Sequence, residues 1–184
     1  MNRCKWVNMK NPLYVAYHDS EWGVPSRDDR YLFEMLILEG FQAGLSWECV
    51  LNKREAFRAA FDGFDPKIVS EYDDAKLAAL AEDPKIIRNR RKIAASVTNA
   101  KVFLAIQSEF GSFADYLWGF TDGEVIHNTD GVFRATSPLS DEISADLVRR
   151  GMKFVGSTII YSYLQACGII DDHEPDCDLC FTKR

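Results

Sequence analysis

Apolar residues recur every three or four positions along most of the chain, so the pattern is helical almost throughout. Asn11-Pro12 reads as a cap followed by proline at the first helical position. It opens a short helix carrying Tyr14, Tyr17 and His18, whose spacing places them on one face. Asp28 or Asp29 can cap a second helix through "YLFEMLILEG" to Glu39-Gly40. Ser46 can cap a third, "WECVLNKREAFRAAF", with Val50, Phe57 and Phe61 at helical intervals. Asp65-Pro66 repeats the cap-plus-proline signal, and "IIRNRRKIAASVTNAKVFLAIQSEF" is the longest periodic segment. "SFAD" at 112–115 reads as a capping box. Ser140 begins "DEISADLVRR", which Gly151 ends, and a last helix, "STIIYSYLQACG", runs to Gly168.

Strand signals are weak. "EVIHN" after Asp122-Gly123 offers one short hairpin arm. With no internal repeat, low-complexity tract or long linker, the predicted class is all-α in a single domain over 1–184. An annex is expected from both ends, about 1–22 and 168–184. "RATSPLSD" is expected to be the most mobile stretch, and the tail after Cys180 to be loosely held.

A chain of 184 residues with 47% hydrophobic positions can bury a real core. No run approaches the ~20 apolar residues of a membrane helix. Arg3 and Lys5 precede no apolar segment of the signal-peptide kind, so a cytoplasmic protein is expected. The five cysteines (Cys4, Cys49, Cys167, Cys177, Cys180) are odd in number, which favours free or metal-bound thiols over a disulfide framework. Net charge is -6, mildly against nonspecific binding to a polyanion. Two local groups run the other way: Lys85, Arg88, Arg90, Arg91 and Lys92, then Arg149, Arg150 and Lys153. Such groups can hold a phosphate backbone, although solvated helix faces are the commoner explanation.

The candidate chemistry gathers in three places. "CKWVNMKNPLYVAYHDSEWG" sets Cys4 and His18 among two tyrosines and two tryptophans, and "DDHEPDCDLC" sets His173, Cys177 and Cys180 near the other end. Thiolate with imidazole suits Zn²⁺, and four such ligands close a tetrahedral site that joins the termini and leaves no position for water. That makes the metal structural; Cys177 and Cys180 remain rivals for one ligand place. Alone, the second cluster reads first as a chance grouping in a polar tail; the Cys4 and His18 pair near the other end shifts the balance to a metal. "LEGFQAGLSW" joins two helices through Gly40 and Gly44. Glu39 sits late in its helix, where the dipole disfavours a carboxylate. It reads as a solvated end residue beside a core Trp47, or as a buried carboxylate facing a flat ligand stacked on Trp47 and the tyrosines. "RRGMKFVGSTIIYSYLQACG" has the form of a helix-hairpin-helix. Gly151 and Gly156 let the backbone near a phosphate, Lys153 adds charge, and the amides from Ser157 point at the anion.

The segments "RCKWVNMKNPLYVAYHDSEWGVP", "LFEMLILEGFQAGLSW", "IIRNRRKI" and "KFVGSTIIYSYLQACGIIDDH" resemble the bacterial type I 3-methyladenine DNA glycosylases of the helix-hairpin-helix superfamily. The resemblance implies a monomeric α-helical enzyme that excises 3-methyladenine from alkylated duplex DNA, releasing the free base. It implies a structural zinc on Cys4, His18, His173 and Cys177, and a base pocket of Trp6, Tyr14, Tyr17, Trp22, Glu39 and Trp47. The turn at Gly44-Leu45 corresponds to the element that presses into DNA at the lesion. The wider superfamily leads one to expect an aspartate that helps the sugar ionise; near "IIDDH" that place is held by His173.

A base in a duplex must be flipped out to be reached. Leu45 is the expected wedge and the rings hold the everted base. Methylation at N3 makes adenine a cationic, good leaving group. A carboxylate that only stabilised that cation would slow its departure. Glu39 is therefore expected as the catalytic residue that reads the amino and N7 edge, with a pKa raised by its dry surroundings. Two rivals remain: a non-enzymatic zinc-stapled DNA-binding module, for which the pocket region would be flat, and a zinc hydrolase, which needs an open metal position.

Overall fold

The structure is a computed structural model and describes residues 1–183; Arg184, the last residue of the expected annex, lies outside the described residues. Most helices start where a polar side chain accepts from an amide two or three residues on, which satisfies an otherwise orphaned donor and is worth ~1 kcal/mol. Asn11 caps α1 (Pro12–Ser20), Asp28 caps α2 (Asp29–Gln42) and Ser46 caps α3 (Trp47–Leu51). After α4 (Arg54–Ala60), Asp65 caps α5 (Pro66–Ser70), Asp73 caps α6 (Asp74–Glu82) and Asn89 caps α7 (Arg90–Phe110). Ser112 caps α8 (Phe113–Gly119) and Ser137 caps α9 (Pro138–Arg149). α10 (Ser157–Ala166) starts at Gly156 without a side-chain cap.

The all-α expectation stands, with corrections in detail. α2 runs past Gly40 to Gln42. The third predicted helix is two: the backbone leaves helical geometry at Lys53, with φ -106° and ψ 1°, and α4 starts there without a side-chain cap. α6 is a helix the hydrophobic pattern did not single out. The reciprocal capping box forms at Ser137 and Ser140, so α9 begins three residues before the predicted start. "EVIHN" is not a hairpin arm. β1 (Ile126–His127) pairs in parallel with β2 (Ile170–Asp171), and α9 and α10 form the crossover. Of the described tail residues, Phe181 is held rather than loose, stacking on His127 with ring centroids 3.7 Å apart.

α2 lies at the centre, and every residue from Leu32 to Phe41 is buried. α7 packs on α2, α5, α6 and α8, while α10 packs on α2 and α9. Phe33, Phe103 and Phe113 form one ring cluster; Phe41, Phe57, Phe61 and Phe64 form another. Each fully buried phenylalanine contributes roughly 1.5–3 kcal/mol. Within the helical core a charge network ties Glu34 on α2 to Arg54 and Arg58 on α4, with Arg54 also reaching Glu21 at 2.7 Å. No described helix is long and apolar enough to cross a membrane.

Candidate active site

A cleft of about 840 Å³ opens where α1, α2, α3 and α10 meet the residues after β1 and β2. Trp6, Tyr14, Tyr17, Trp22, Glu39 and Trp47 all line it. α1 carries the tyrosines, the loops on either side carry Trp6 and Trp22, and the cap at Ser46 aims Trp47. Trp6 makes tilted or edge contacts with Tyr14 at 5.3 Å and Trp22 at 4.9 Å, while Tyr17 packs on Trp47 at 5.3 Å. Tyr17 is buried and Tyr14 is half-buried, so Tyr17 belongs to the floor and Tyr14 to the wall. The Trp47 indole Nε1 is buried without an acceptor, an unsatisfied donor in the cleft wall.

Glu39 is 4% exposed, and burial alone pushes its carboxyl up to about 8. Burial also raises the Tyr17 and Tyr14 hydroxyls, and the nearby Glu39 charge adds to both. A carboxyl in this setting is mostly neutral near pH 7, so it offers one O–H donor and one C=O acceptor.

Behind the aromatic wall lies the cysteine–histidine cluster. The ligand atoms of Cys4, His18 and Cys177 lie within 4.8 Å of one another, and all three residues are buried. His173 stands beside this trio, its ring 5.3 Å from that of His18. Its Nδ1 meets Asp171 Oδ1 at 2.6 Å, and its Nε2 is buried without a partner. His18 likewise has Nδ1 2.9 Å from Asp19 Oδ1, while its Nε2 accepts from the Cys4 amide at 3.3 Å and faces Cys177. A carboxylate on Nδ1 with Nε2 left over is how a histidine is oriented toward a metal. Burial lowers the His18 pKa and pushes the Cys4 thiol up to about 12; a divalent cation would reverse the second effect. The donor set therefore fits a metal ion. Cys180 turns its thiol to Thr182, away from the trio. His18 and His173 also pack on Trp6 and Trp22, at 5.3 and 4.7 Å, so the cluster braces the cleft.

Two further elements are held by side chains on one face of α7, Lys92 and Asn99. At the end of α2, Gly44 takes φ +82°, a left-handed turn that glycine adopts without strain, and Leu45 is 42% exposed. Lys92 reaches from α7 to the carbonyls of Phe41 and Ala43, at 2.9 and 2.6 Å, and so caps the C-terminal end of α2. Burial lowers the Lys92 pKa. In the α9–α10 hairpin, Asn99 of α7 donates to the Lys153 carbonyl and accepts from its amide, at 2.9 and 2.8 Å. Gly151 has φ +105°. A Cβ added at Gly156 would meet nothing within 4 Å, so the backbone is open to approach there. The Ser157 hydroxyl is committed to Asp141, which leaves its amide for an anion.

The profile of the methyladenine glycosylase family matches residues 6–181. The chain belongs to the methyladenine glycosylase family. It is 45% identical over 180 residues to DNA-3-methyladenine glycosylase 1 of Escherichia coli, covering 96% of each chain. It is 40% identical over 178 residues to DNA-3-methyladenine glycosylase of Haemophilus influenzae, covering 95% of this chain and 96% of the other. Among solved structures, 3-methyladenine DNA glycosylase I of Staphylococcus aureus has a TM-score of 0.92 at 34% identity, covering 100% of this chain and 97% of that one. A variant 3-methyladenine DNA glycosylase I in complex with 3-methyladenine has a TM-score of 0.91 at 34% identity, covering 96% of each.

In this family member the cleft has a polar wall that sequence reasoning missed. Asp172 accepts from Tyr161, Gln165 and Asn128, at 2.5, 2.6 and 2.5 Å. Asn128 and Asp172 follow the two short strands, and their meeting depends on a parallel pairing that local patterning does not reveal. The second basic group is largely self-neutralised: Arg149 and Arg150 pair with Asp146, and Arg150 also pairs with Glu109. Lys92 belongs to the interior rather than to the first basic surface.

Proposed function

We propose that this chain is a monofunctional 3-methyladenine DNA glycosylase. It flips the damaged nucleotide out of alkylated duplex DNA and hydrolyses its glycosidic bond, leaving an abasic site. The observation that carries this reading is a bare, buried carboxyl in a ring-walled cleft. The names of its relatives support it.

Leu45 at the Gly44 turn fills the gap left by the everted base. The hairpin receives a phosphate on the open backbone from Gly151 through Gly156, the amide of Ser157 and the charge of Lys153. Trp6, Tyr14, Tyr17, Trp22 and Trp47 supply stacking faces worth ~1–3 kcal/mol per base, more for a cationic base. Neutral Glu39 donates to N7 and accepts from the 6-amino group. Guanine would set its O6 acceptor against the Glu39 carbonyl oxygen. Being uncharged, Glu39 does not hold the cation in the ground state as a carboxylate would. The base leaves as a neutral purine, and the DNA phosphates offset the charge that develops on the sugar.

Cys4, His18, His173 and Cys177 would hold one zinc ion, which supplies a cross-link between the chain ends. The reading includes a monomer, as the family resemblance implies. Five free cysteines suit the reducing cytoplasm. The residues form one domain with the annex at about 1–22 and 168–184.

The test is to incubate the protein with methylated duplex DNA and identify any released purine by chromatography. Release of 3-methyladenine supports the reading. DNA binding without release of any base overturns it and leaves the non-enzymatic DNA-binding module.

A further inference from the structure

We propose that Arg88 and Arg91 form a second contact surface for the phosphate backbone of the duplex, beside the Leu45 turn and separate from the hairpin. The inference rests on the glycosylase reading for its partner, DNA.

A shallow, open surface hollow lies at the start of α7, lined by Ala81, Ile87, Arg88, Asn89, Arg90 and Arg91. Arg90 is engaged with Glu82 at 2.8 Å. Arg88 and Arg91 are exposed, and neither has a carboxylate partner among the described ion pairs. The Asn89 side chain already accepts from the amides of Arg91 and Lys92, so the guanidinium groups, not the helix terminus, carry the charge. The planar guanidinium of an unpaired, exposed arginine matches the bidentate geometry of a phosphate.

Position on α7 supplies the second argument. Lys92, next in sequence to Arg91, holds the Phe41 and Ala43 carbonyls at the base of the Leu45 turn. Asn99 holds the hairpin backbone at Lys153. At 1.5 Å per residue, Lys92 and Asn99 are about 10 Å apart along the helix. The hollow, the wedge and the hairpin are therefore attached to one rigid rod in that order. A duplex engaged by the latter two runs close to the first. Charge points the same way. The chain carries -6 overall, and Arg149 and Arg150 are already paired with acids. Unpaired arginines beside the wedge are free to meet a polyanion, whereas Arg90 is already engaged by Glu82.

The test measures affinity for undamaged duplex DNA against salt concentration. Each lost phosphate contact flattens the log–log slope by ~0.9, so the double variant Arg88→Ala, Arg91→Ala should be shallower than wild type by about 1.8. Arg90→Ala should keep the wild-type slope, and the Arg88→Lys, Arg91→Lys pair should restore most of it. Thermal melting of each variant checks the fold. A double variant that melts like wild type and keeps its slope overturns the proposal, as does an equal loss in Arg90→Ala. Base release by the wild-type protein is scored separately. Absence of release with a flattened variant slope would sink the glycosylase reading and leave this surface standing.

Discussion

Glu34 and Glu39 lie on one helix and are both buried, yet among the described residues only Glu34 has arginine partners. Burying a carboxyl is costly, and the protein meets that cost at Glu34 with Arg54 and Arg58. At Glu39 it leaves the cost in place, and the group answers by holding its proton, with its pKa raised to about 8. A strained titratable group facing a ring-lined cleft marks a ligand site better than any single aromatic residue does.

The strain is measurable as a pH dependence of stability. Glu39 titrates near 4.5 when unfolded and at about 8 when folded. The folded state therefore holds the proton more tightly. Its contribution is fully present below 4.5 and is lost as pH rises through 8. Glu39→Gln carries no such proton. Its stability relative to wild type should climb by ~1.4 kcal/mol per pH unit across that window, then level off. Calorimetry of both proteins at several pH values checks this. A difference independent of pH contradicts the dry-pocket account.

The metal cluster makes its own prediction. Purified protein should carry one zinc per chain by elemental analysis. His173→Ala and Cys177→Ser should lose it and melt at lower temperature, whereas Cys180→Ser should keep it. Asp171→Asn, which loosens the orientation of His173, should weaken zinc affinity by ~10–100-fold. Retention of full zinc by His173→Ala would remove that residue from the set.

Lys92 should act on the wedge rather than on the base. Lys92→Met leaves the Phe41 and Ala43 carbonyls without their cation and loosens the Leu45 turn. Excision from a fully paired duplex should fall at least ~10-fold, while affinity for free 3-methyladenine stays near wild type. A mismatch opposite the lesion, which lowers the cost of flipping, should recover part of the loss. Equal losses in excision and in free-base affinity would show that Lys92 supports the cleft in general.

Much of this was legible in the chain because capping and ring placement are local. Asn11-Pro12, Asp28, Ser46 and Asp65-Pro66 start the helices they signal, and the rings of the opening segment do line a cleft. The misses are non-local. β1 finds its partner 44 positions away, so Asp172 and Asn128 could not be placed together beforehand. Lys92 looked like one more surface cation, because nothing in "IIRNRRKI" shows that the end of α2 arrives above it. Arg150 meets Glu109 by the same kind of distant packing, whereas its other partner, Asp146, stands four positions earlier on α9, a pairing that spacing alone offers.

The most direct test of the central claim is single-turnover release of 3-methyladenine by Glu39→Leu, compared with wild type on the same methylated duplex. Leucine fits the dry pocket and offers neither the donor for N7 nor the acceptor for the amino group. The account predicts a fall of at least ~10-fold, since unpaired polar edges on a buried base cost ~1–3 kcal/mol. Release within twofold of wild type would contradict it.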